Sequence, residues 1–175
     1  MREEVFRRAK KIRLLTLDAD GVLTDGKLYL DGHGNEWQSF HIRDGHGIKL
    51  CLVAGIQVAI FSGRVSEAVR RRAEELGVKY LYQGQRDKVL CYEELKAELG
   101  IEDEEVCFVG DDLVDVPLLK RVGLPVVVAD GVKEAKEVAF YVTEAPGGQG
   151  AVREVCELIL KAQGKWEELL RSYGL

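Results

Sequence analysis

Two aspartates separated by one residue, Asp18 and Asp20, follow the run Arg13-Leu14-Leu15-Thr16-Leu17 and precede Gly21. Such a run reads as a buried strand, so both carboxylates stand at its carboxyl end, where one can serve as nucleophile and the other as proton donor and acceptor. Three more groups sit at comparable places. Ser62-Gly63-Arg64 closes the apolar run 57–61, Gly110-Asp111-Asp112 closes 105–109, and Lys88 lies near the start of a helix that follows a third run. Carboxylates crowded into one crevice repel each other and take up protons unless a cation offsets them. A hard divalent ion, Mg2+ above all, suits such a set, because it takes one or two carboxylates and leaves room for water and a phosphate. Asp18 and Asp111 are the natural pair. With that ion and Lys88 neutralising a phosphoryl group, an ionised carboxylate can attack phosphorus and form an aspartyl phosphate. If the strand continues, Asp20 shares a face with Asp18 and can protonate the leaving oxygen, then deprotonate water. The Ser62 hydroxyl and the adjacent amides are neutral donors to the phosphoryl oxygens.

These groups meet only if their carriers lie side by side. The pattern predicts strands at 13–17, 57–61, 79–82, 105–109, 125–129 and 140–142. It predicts helices at 44–54, 66–76, 86–99, 114–122, 133–138 and 151–162. Strand and helix alternate, which implies an α/β fold, doubly wound and Rossmann-like, with a mostly parallel sheet and helices on both faces. Residues 24–42 interrupt the pattern as a small β-hairpin insertion turning at Asp31-Gly32-His33-Gly34-Asn35. The chain of 175 residues is read as a single domain, 1–175, ending in a tail at 163–175. In an open parallel sheet, ligands bind beyond the carboxyl ends of the strands, so the acidic, serine and lysine groups should open onto one crevice.

Composition removes other classes. A net charge of -5 argues against broad nucleic-acid binding, and no apolar run is long enough for a membrane span. The amino terminus lacks an apolar signal core, so a cytoplasmic protein is expected. Cys51, Cys91, Cys107 and Cys156 form no C-x-x-C pair and read as reduced structural thiols. His41 and His46, five residues apart, do not share a helix face as a metal pair would.

The ordered set Asp18-Ala19-Asp20-Gly21-Val22-Leu23-Thr24-Asp25-Gly26, Ser62-Gly63-Arg64, Lys88 and Gly110-Asp111-Asp112-Leu113-Val114-Asp115 resembles the haloacid-dehalogenase-like phosphatase superfamily. The stretches 40–49, 81–84 and 147–156 extend the likeness to those members that act on the 8-phosphate of an eight-carbon sugar acid in lipopolysaccharide precursor synthesis. That resemblance implies Asp18 as nucleophile and metal ligand, and Asp20 as acid and base with a backbone carbonyl on the metal. It implies Asp111 as the remaining metal carboxylate, Lys88 as the phosphate-binding lysine and Ser62 as a phosphoryl hydrogen-bonding residue. Asp115 is placed to orient Lys88 or to support the metal, with Asp112 behind the ligands. Substrate contacts are implied at His41, Ile42, Arg43, Asp44, Gly45, Lys49, Arg64 and Arg72, in addition to Asp20 and Lys88. A helix starting near Asp44 would offer free amides to an anion. Arg72 also reads as part of a solvated face with Arg70, Arg71, Glu74 and Glu75.

Cap domains are common insertions in this superfamily, yet neither gap between motifs has room for one. The apolar hairpin, with Leu28, Tyr29, Leu30, Trp37 and Phe40, is then expected to pack on other subunits, and the resemblance implies a homotetramer whose neighbours act as the cap. The glycine run 147–150 reads either as a hinge for the carboxyl-terminal segment or as a plain loop. Two alternatives within phosphoryl chemistry remain. A phosphatase for a nine-carbon sugar acid 9-phosphate is set apart by Arg64, where the resemblance implies an acidic residue. A receiver domain is set apart by motif order, since it carries its acidic pair first and its acceptor aspartate later. A noncatalytic assembly role does not account for Asp18, Asp20, Lys88 and Asp111 together.

Overall fold

The structure is a computed structural model and describes residues 2–85 and 87–175. In chain order the elements are α1 (Arg2–Ala9), β1 (Leu14–Asp18), β2 (Tyr29–Leu30), β3 (Glu36–Trp37), α2 (Ile42–Val53), β4 (Gln57–Ser62) and α3 (Glu67–Leu76). They continue as β5 (Tyr80–Gln83), α4 (Lys88–Leu99), β6 (Val106–Gly110), α5 (Val116–Leu119), β7 (Leu124–Val127), α6 (Lys133–Val138), β8 (Tyr141–Val142), α7 (Ala151–Ala162) and α8 (Trp166–Ser172). Six strands form one parallel sheet in the order β5-β4-β1-β6-β7-β8. Strands β2 and β3 make the separate antiparallel hairpin, with Tyr29 opposite Trp37. Its turn is held by the Asp31 carboxylate, which accepts from the amides of His33 at 2.8 Å and Asn35 at 2.9 Å.

Alternation along the strands divides the apolar residues between two cores. Leu15, Leu17, Val58, Ile60, Cys107 and Val109 face α1, α2, α3 and α7, whereas Leu14, Ala59, Phe61, Val106 and Phe108 face α4, α5 and α6. Fully burying a side chain such as Phe61 or Phe108 stabilises the fold by about 1.5–3 kcal/mol, so strand register is strongly specified. All five residues of β1 are buried, at the centre of the sheet. The chain leaves β1 toward β4 on one side and returns through β6 on the other, which opens a crevice beyond the carboxyl ends of these strands.

Several boundaries differ from the sequence pattern. Strand β1 ends at Asp18 and passes into an irregular turn, Ala19–Leu23, so Asp20 does not continue the strand. Gly21 makes that turn at φ 86, in the left-handed region open to glycine. Helix α2 begins at Ile42, ahead of Asp44, whose carboxylate serves another helix as described below. The helix expected at 114–122 is only Val116–Leu119, preceded by a tight turn at Leu113–Asp115. There the Asp115 side chain reaches back to the amides of residues 111 and 112, and Pro117 supplies no amide. The expected start of the fourth helix at Arg86 lies outside the described residues; the helix runs from Lys88 and is capped by Asp87, whose carboxylate accepts from Val89 N at 3.0 Å.

The tail is itself helical. Trp166 and Leu169 pack on the α2 and α7 side, the Lys165 ammonium donates to Ala54 O at 2.9 Å, and Tyr173 hydroxyl lies 2.9 Å from His46 Nε2. The glycine run is not a free hinge. Gly148 N donates to Val22 O at 2.9 Å, and a Cβ on Gly147 would lie 1.7 Å from Gly21 O. Only glycine permits that approach to the turn bearing Asp20.

Candidate active site

The end of β1 delivers Asp18, the loop after β6 delivers Asp111, and the first residue of α4 delivers Lys88. Asp18, Lys88 and Asp115 are 6%, 5% and 0% exposed, which removes solvent screening from their interactions. The Lys88 ammonium donates to Asp18 Oδ1 and, at 2.6 Å, to Asp115 Oδ1. Asp115 Oδ2 accepts from the amides of Asp111 at 2.8 Å and Asp112 at 3.3 Å. Asp115 thus fixes the lysine with one oxygen and the backbone under Asp111 with the other.

One oxygen from each of Asp18, Asp111 and Asp115 falls within 4.8 Å of the others. Burial raises the Asp18 pKa to about 7; Lys88 opposes this and Asp115 adds to it. Burial also raises Asp111, to about 8, assisted by repulsion from Asp18, Asp115 and Asp112. Burial disfavours the Lys88 ammonium, but the Asp18 and Asp115 carboxylates outweigh it and hold the group charged above its ordinary range. One lysine among three converging carboxylates leaves negative charge uncompensated, the condition a hard divalent cation relieves. Since both Asp115 oxygens already accept hydrogen bonds, Asp18 and Asp111 are the carboxylates fitted to hold such an ion. A Cβ on Gly21 would lie 2.2 Å from Asp111 Oδ2, so the turn after β1 leaves this carboxylate its space only because residue 21 is glycine.

A cavity of about 430 Å³ opens over this cluster, lined by Asp18, Asp20, Arg64, Lys88, Asp111 and Asp112 with Gly63 and Val114. Ser62, 1% exposed, lies at the end of β4, and its hydroxyl accepts from Arg64 N at 3.2 Å. Arg64 is bound by the hairpin, its guanidinium donating to Glu36. Asp20 is bound by the hairpin too: Gln38 Nε2 donates to Asp20 Oδ1 at 2.6 Å. Sequence alone does not mark Glu36 or Gln38 as site residues. Their alternate spacing on a strand was the available signal, but nothing local shows which face turns to the crevice.

The other expected substrate contacts do not line this cavity. Asp44 is 1% exposed, and its carboxylate accepts from Arg153 N at 2.7 Å and Gly150 N at 3.3 Å, tying α2 to the start of α7. Burial raises the pKa of that carboxyl, with those amides opposing it. Gly45 lies against Arg72, where a Cβ would stand 2.2 Å from Nη2. Arg72 is paired with Glu75 at 2.8 Å and is only 12% exposed, which corrects its reading as a solvated side chain. His41 Nδ1 is 3.9 Å from Asp44 Oδ2. Ile42, Arg43 and Lys49 are exposed beside the cavity-forming elements rather than within the cavity. Within one chain, then, Asp18, Asp20, Lys88 and Asp111 converge, whereas Ile42, Arg43 and Lys49 are exposed away from the cavity and Asp44, Gly45 and Arg72 pack inward.

Among the described residues, no helix is long and apolar enough to cross a membrane. Residues 81–154 match the family model for haloacid dehalogenase-like hydrolases. The chain is 48% identical over 165 residues to the 3-deoxy-D-manno-octulosonate 8-phosphate phosphatase of Escherichia coli, which covers 94% of this chain and 88% of that protein. The crystal structure of the phosphatase of the same name from Yersinia pestis superposes with a TM-score of 0.93 at 48% identity, covering 94% of this chain and 89% of that one. The one from Moraxella catarrhalis, solved in complex with magnesium ion, phosphate ion and a KDO molecule, gives a TM-score of 0.96 at 40% identity over 98% of both chains.

Proposed function

This chain belongs to the haloacid dehalogenase-like hydrolases, in the 3-deoxy-D-manno-octulosonate 8-phosphate phosphatase family, and on that premise we propose that it hydrolyses this sugar acid phosphate through Asp18. The convergence of Asp18, Asp111 and Lys88 in one buried cluster at the mouth of the sheet is the observation that carries the proposal.

An oxygen of the Asp18 carboxylate attacks phosphorus while the bond from phosphorus to the sugar oxygen breaks, and Asp20 gives its proton to the departing oxygen. Water then attacks the aspartyl phosphate, Asp20 takes the water proton, and phosphate and the Asp18 carboxylate are restored. A divalent cation held by Asp18, Asp111 and the Asp20 carbonyl supplies positive charge that offsets the carboxylates and the phosphoryl oxygens. Lys88 adds a fixed positive charge, Ser62 and the following amides offer hydrogen bonds, and Asp115 keeps Lys88 and the Asp111 loop in register.

The same reading includes assembly as a homotetramer in the cytoplasm. Leu30, Trp37, Ile42 and Val65 are 68%, 65%, 76% and 76% exposed around the hairpin, an apolar surface that neighbouring chains would cover. Assembly also offers the exposed Ile42, Arg43 and Lys49 a cleft other than their own. Cys51, Cys91, Cys107 and Cys156 are buried free thiols, in keeping with a reducing compartment. Phosphate release from 3-deoxy-D-manno-octulosonate 8-phosphate, a nine-carbon sugar acid 9-phosphate and simple sugar phosphates, with Mg2+ and with chelator, tests the activity. The expected result is chelator-sensitive preference for the eight-carbon substrate. Preference for the nine-carbon ester would overturn the substrate assignment, and sedimentation as a fully active monomer would overturn the assembly.

A further inference from the structure

Asp20 lies on an irregular turn rather than on a strand, so its backbone alone does not aim its carboxylate. The aim comes from the hairpin. Gln38 Nε2 donates to Asp20 Oδ1 at 2.6 Å, and Gln38 Oε1 accepts from Ser66 Oγ at 2.6 Å. Ser66 is itself 6% exposed and fixed from two sides: its hydroxyl oxygen takes Val69 N at the start of α3, and its carbonyl takes Gln83 Nε2 at 2.9 Å. The Ser66 hydroxyl donates its hydrogen to Gln38 Oε1, which leaves the Gln38 amide nitrogen as the donor facing Asp20.

We propose that Gln38 is a positioning residue for proton transfer, holding Asp20 in the rotamer in which one oxygen is occupied by the amide and the other is free to carry and deliver the proton. The inference rests on the reading of Asp20 as acid and base. Oδ1 accepts the amide hydrogen, so the transferable proton resides on Oδ2. It passes from Oδ2 to the leaving sugar oxygen as the phosphorus–oxygen bond breaks, and is regained from water in the second step. The relay Ser66-Gln38-Asp20 joins the start of α3, the hairpin and the acid in one rigid chain of hydrogen bonds, and it gives the hairpin a task inside its own active site.

The test compares kcat/KM for 3-deoxy-D-manno-octulosonate 8-phosphate, whose alkoxide must be protonated to leave, with that for p-nitrophenyl phosphate, whose phenolate leaves without help. This ratio reports steps up to departure of the leaving group, so breakdown of the phosphoenzyme does not enter it. Gln38→Leu removes the donor, Gln38→Glu replaces it with an acceptor at the same size, and Asp20→Asn removes the acid itself. Each is first shown to melt within a few degrees of the wild type. Each Gln38 variant is expected to lose about 10–100-fold on the sugar phosphate, a part of what a general acid supplies, and less than about 3-fold on p-nitrophenyl phosphate. A merely structural role would lower both alike. Equal losses in the Gln38 variants, or none, beside a selective loss in Asp20→Asn would overturn the positioning role alone. Equal losses in Asp20→Asn would overturn the acid assignment and the inference with it.

Discussion

Substituting Gly21 by alanine perturbs the site through a single methyl group. Two costs are separable. At φ 86 an alanine meets the left-handed penalty of about 1–2 kcal/mol, which for a chain of this length lowers Tm by about 2–8 °C. The new Cβ would also stand 2.2 Å from Asp111 Oδ2, and ordinary contact begins at 3.4 Å, so the carboxylate must retreat by about 1 Å. Loss of that ligand position weakens Mg2+ binding by about 10–100-fold, or about 1.4–2.8 kcal/mol. Gly26 supplies the control. It has φ +73, but a Cβ there finds its nearest neighbour at 3.5 Å, and that neighbour is Gly21 Cα rather than a carboxylate. Titration of Mg2+ by calorimetry, beside thermal melts in chelator, should show both variants losing stability and only Gly21→Ala losing metal affinity. Equal Mg2+ affinity in the two variants would refute the assignment of Asp111 as a ligand held in place by the turn.

Three further outcomes are expected. Asp115→Ala removes one partner of a buried ion pair and the acceptor for two loop amides, and should cost about 3–5 kcal/mol, read as a Tm fall of about 6–20 °C; a change within 2 °C, about the effect of 1 kcal/mol or less, would contradict that role. The carboxyls of Asp18 and Asp111 are raised from 3.8 to about 7 and about 8, so the folded chain holds protons the unfolded chain has released. Their contribution to stability is therefore full below about pH 4 and is lost as pH rises to 8, by up to about 1.4 kcal/mol per pH unit for each proton. Denaturation in chelator from pH 5 to 8.5 should show this decline and Mg2+ should reverse it at the upper end; a rise in metal-free stability over that range would contradict the shifts. Asp44→Ala frees two amides at the start of α7 and should cost about 1–2 kcal/mol in urea denaturation, whereas an unchanged midpoint would show that the tie between α2 and α7 does not matter.

The sheet was legible because its strands are apolar runs, most of them closed by Gly or acidic residues, and its helices carry local stops such as Gly77 and Gly100, both in the left-handed conformation. Asp18, Lys88 and Asp111 were legible for the same reason, since each sits at an end of an element whose place in a parallel sheet is set by topology. What was not legible depends on contacts distant in sequence. Asp44 reads as the start of its own helix, yet it caps α7 more than a hundred residues away. Gln38 reads as a polar hairpin residue until the fold brings it to Asp20. The tail offered no strong periodicity, and its helix is defined by packing of Trp166 and Leu169 against the core. Arg72 lies in a charge-rich helix face, but the absence of a side chain at Gly45 lets it turn inward.

Transfer of the phosphoryl group to Asp18 is the central claim, and a single-turnover quench with phosphorus-32-labelled 3-deoxy-D-manno-octulosonate 8-phosphate and Mg2+ tests it most directly. Acid-stable, hydroxylamine-labile label on the peptide containing Asp18, present in the wild type and absent from Asp18→Asn, is the predicted result. Release of labelled phosphate at full rate with no label on the protein, or with the label on another residue, would contradict it.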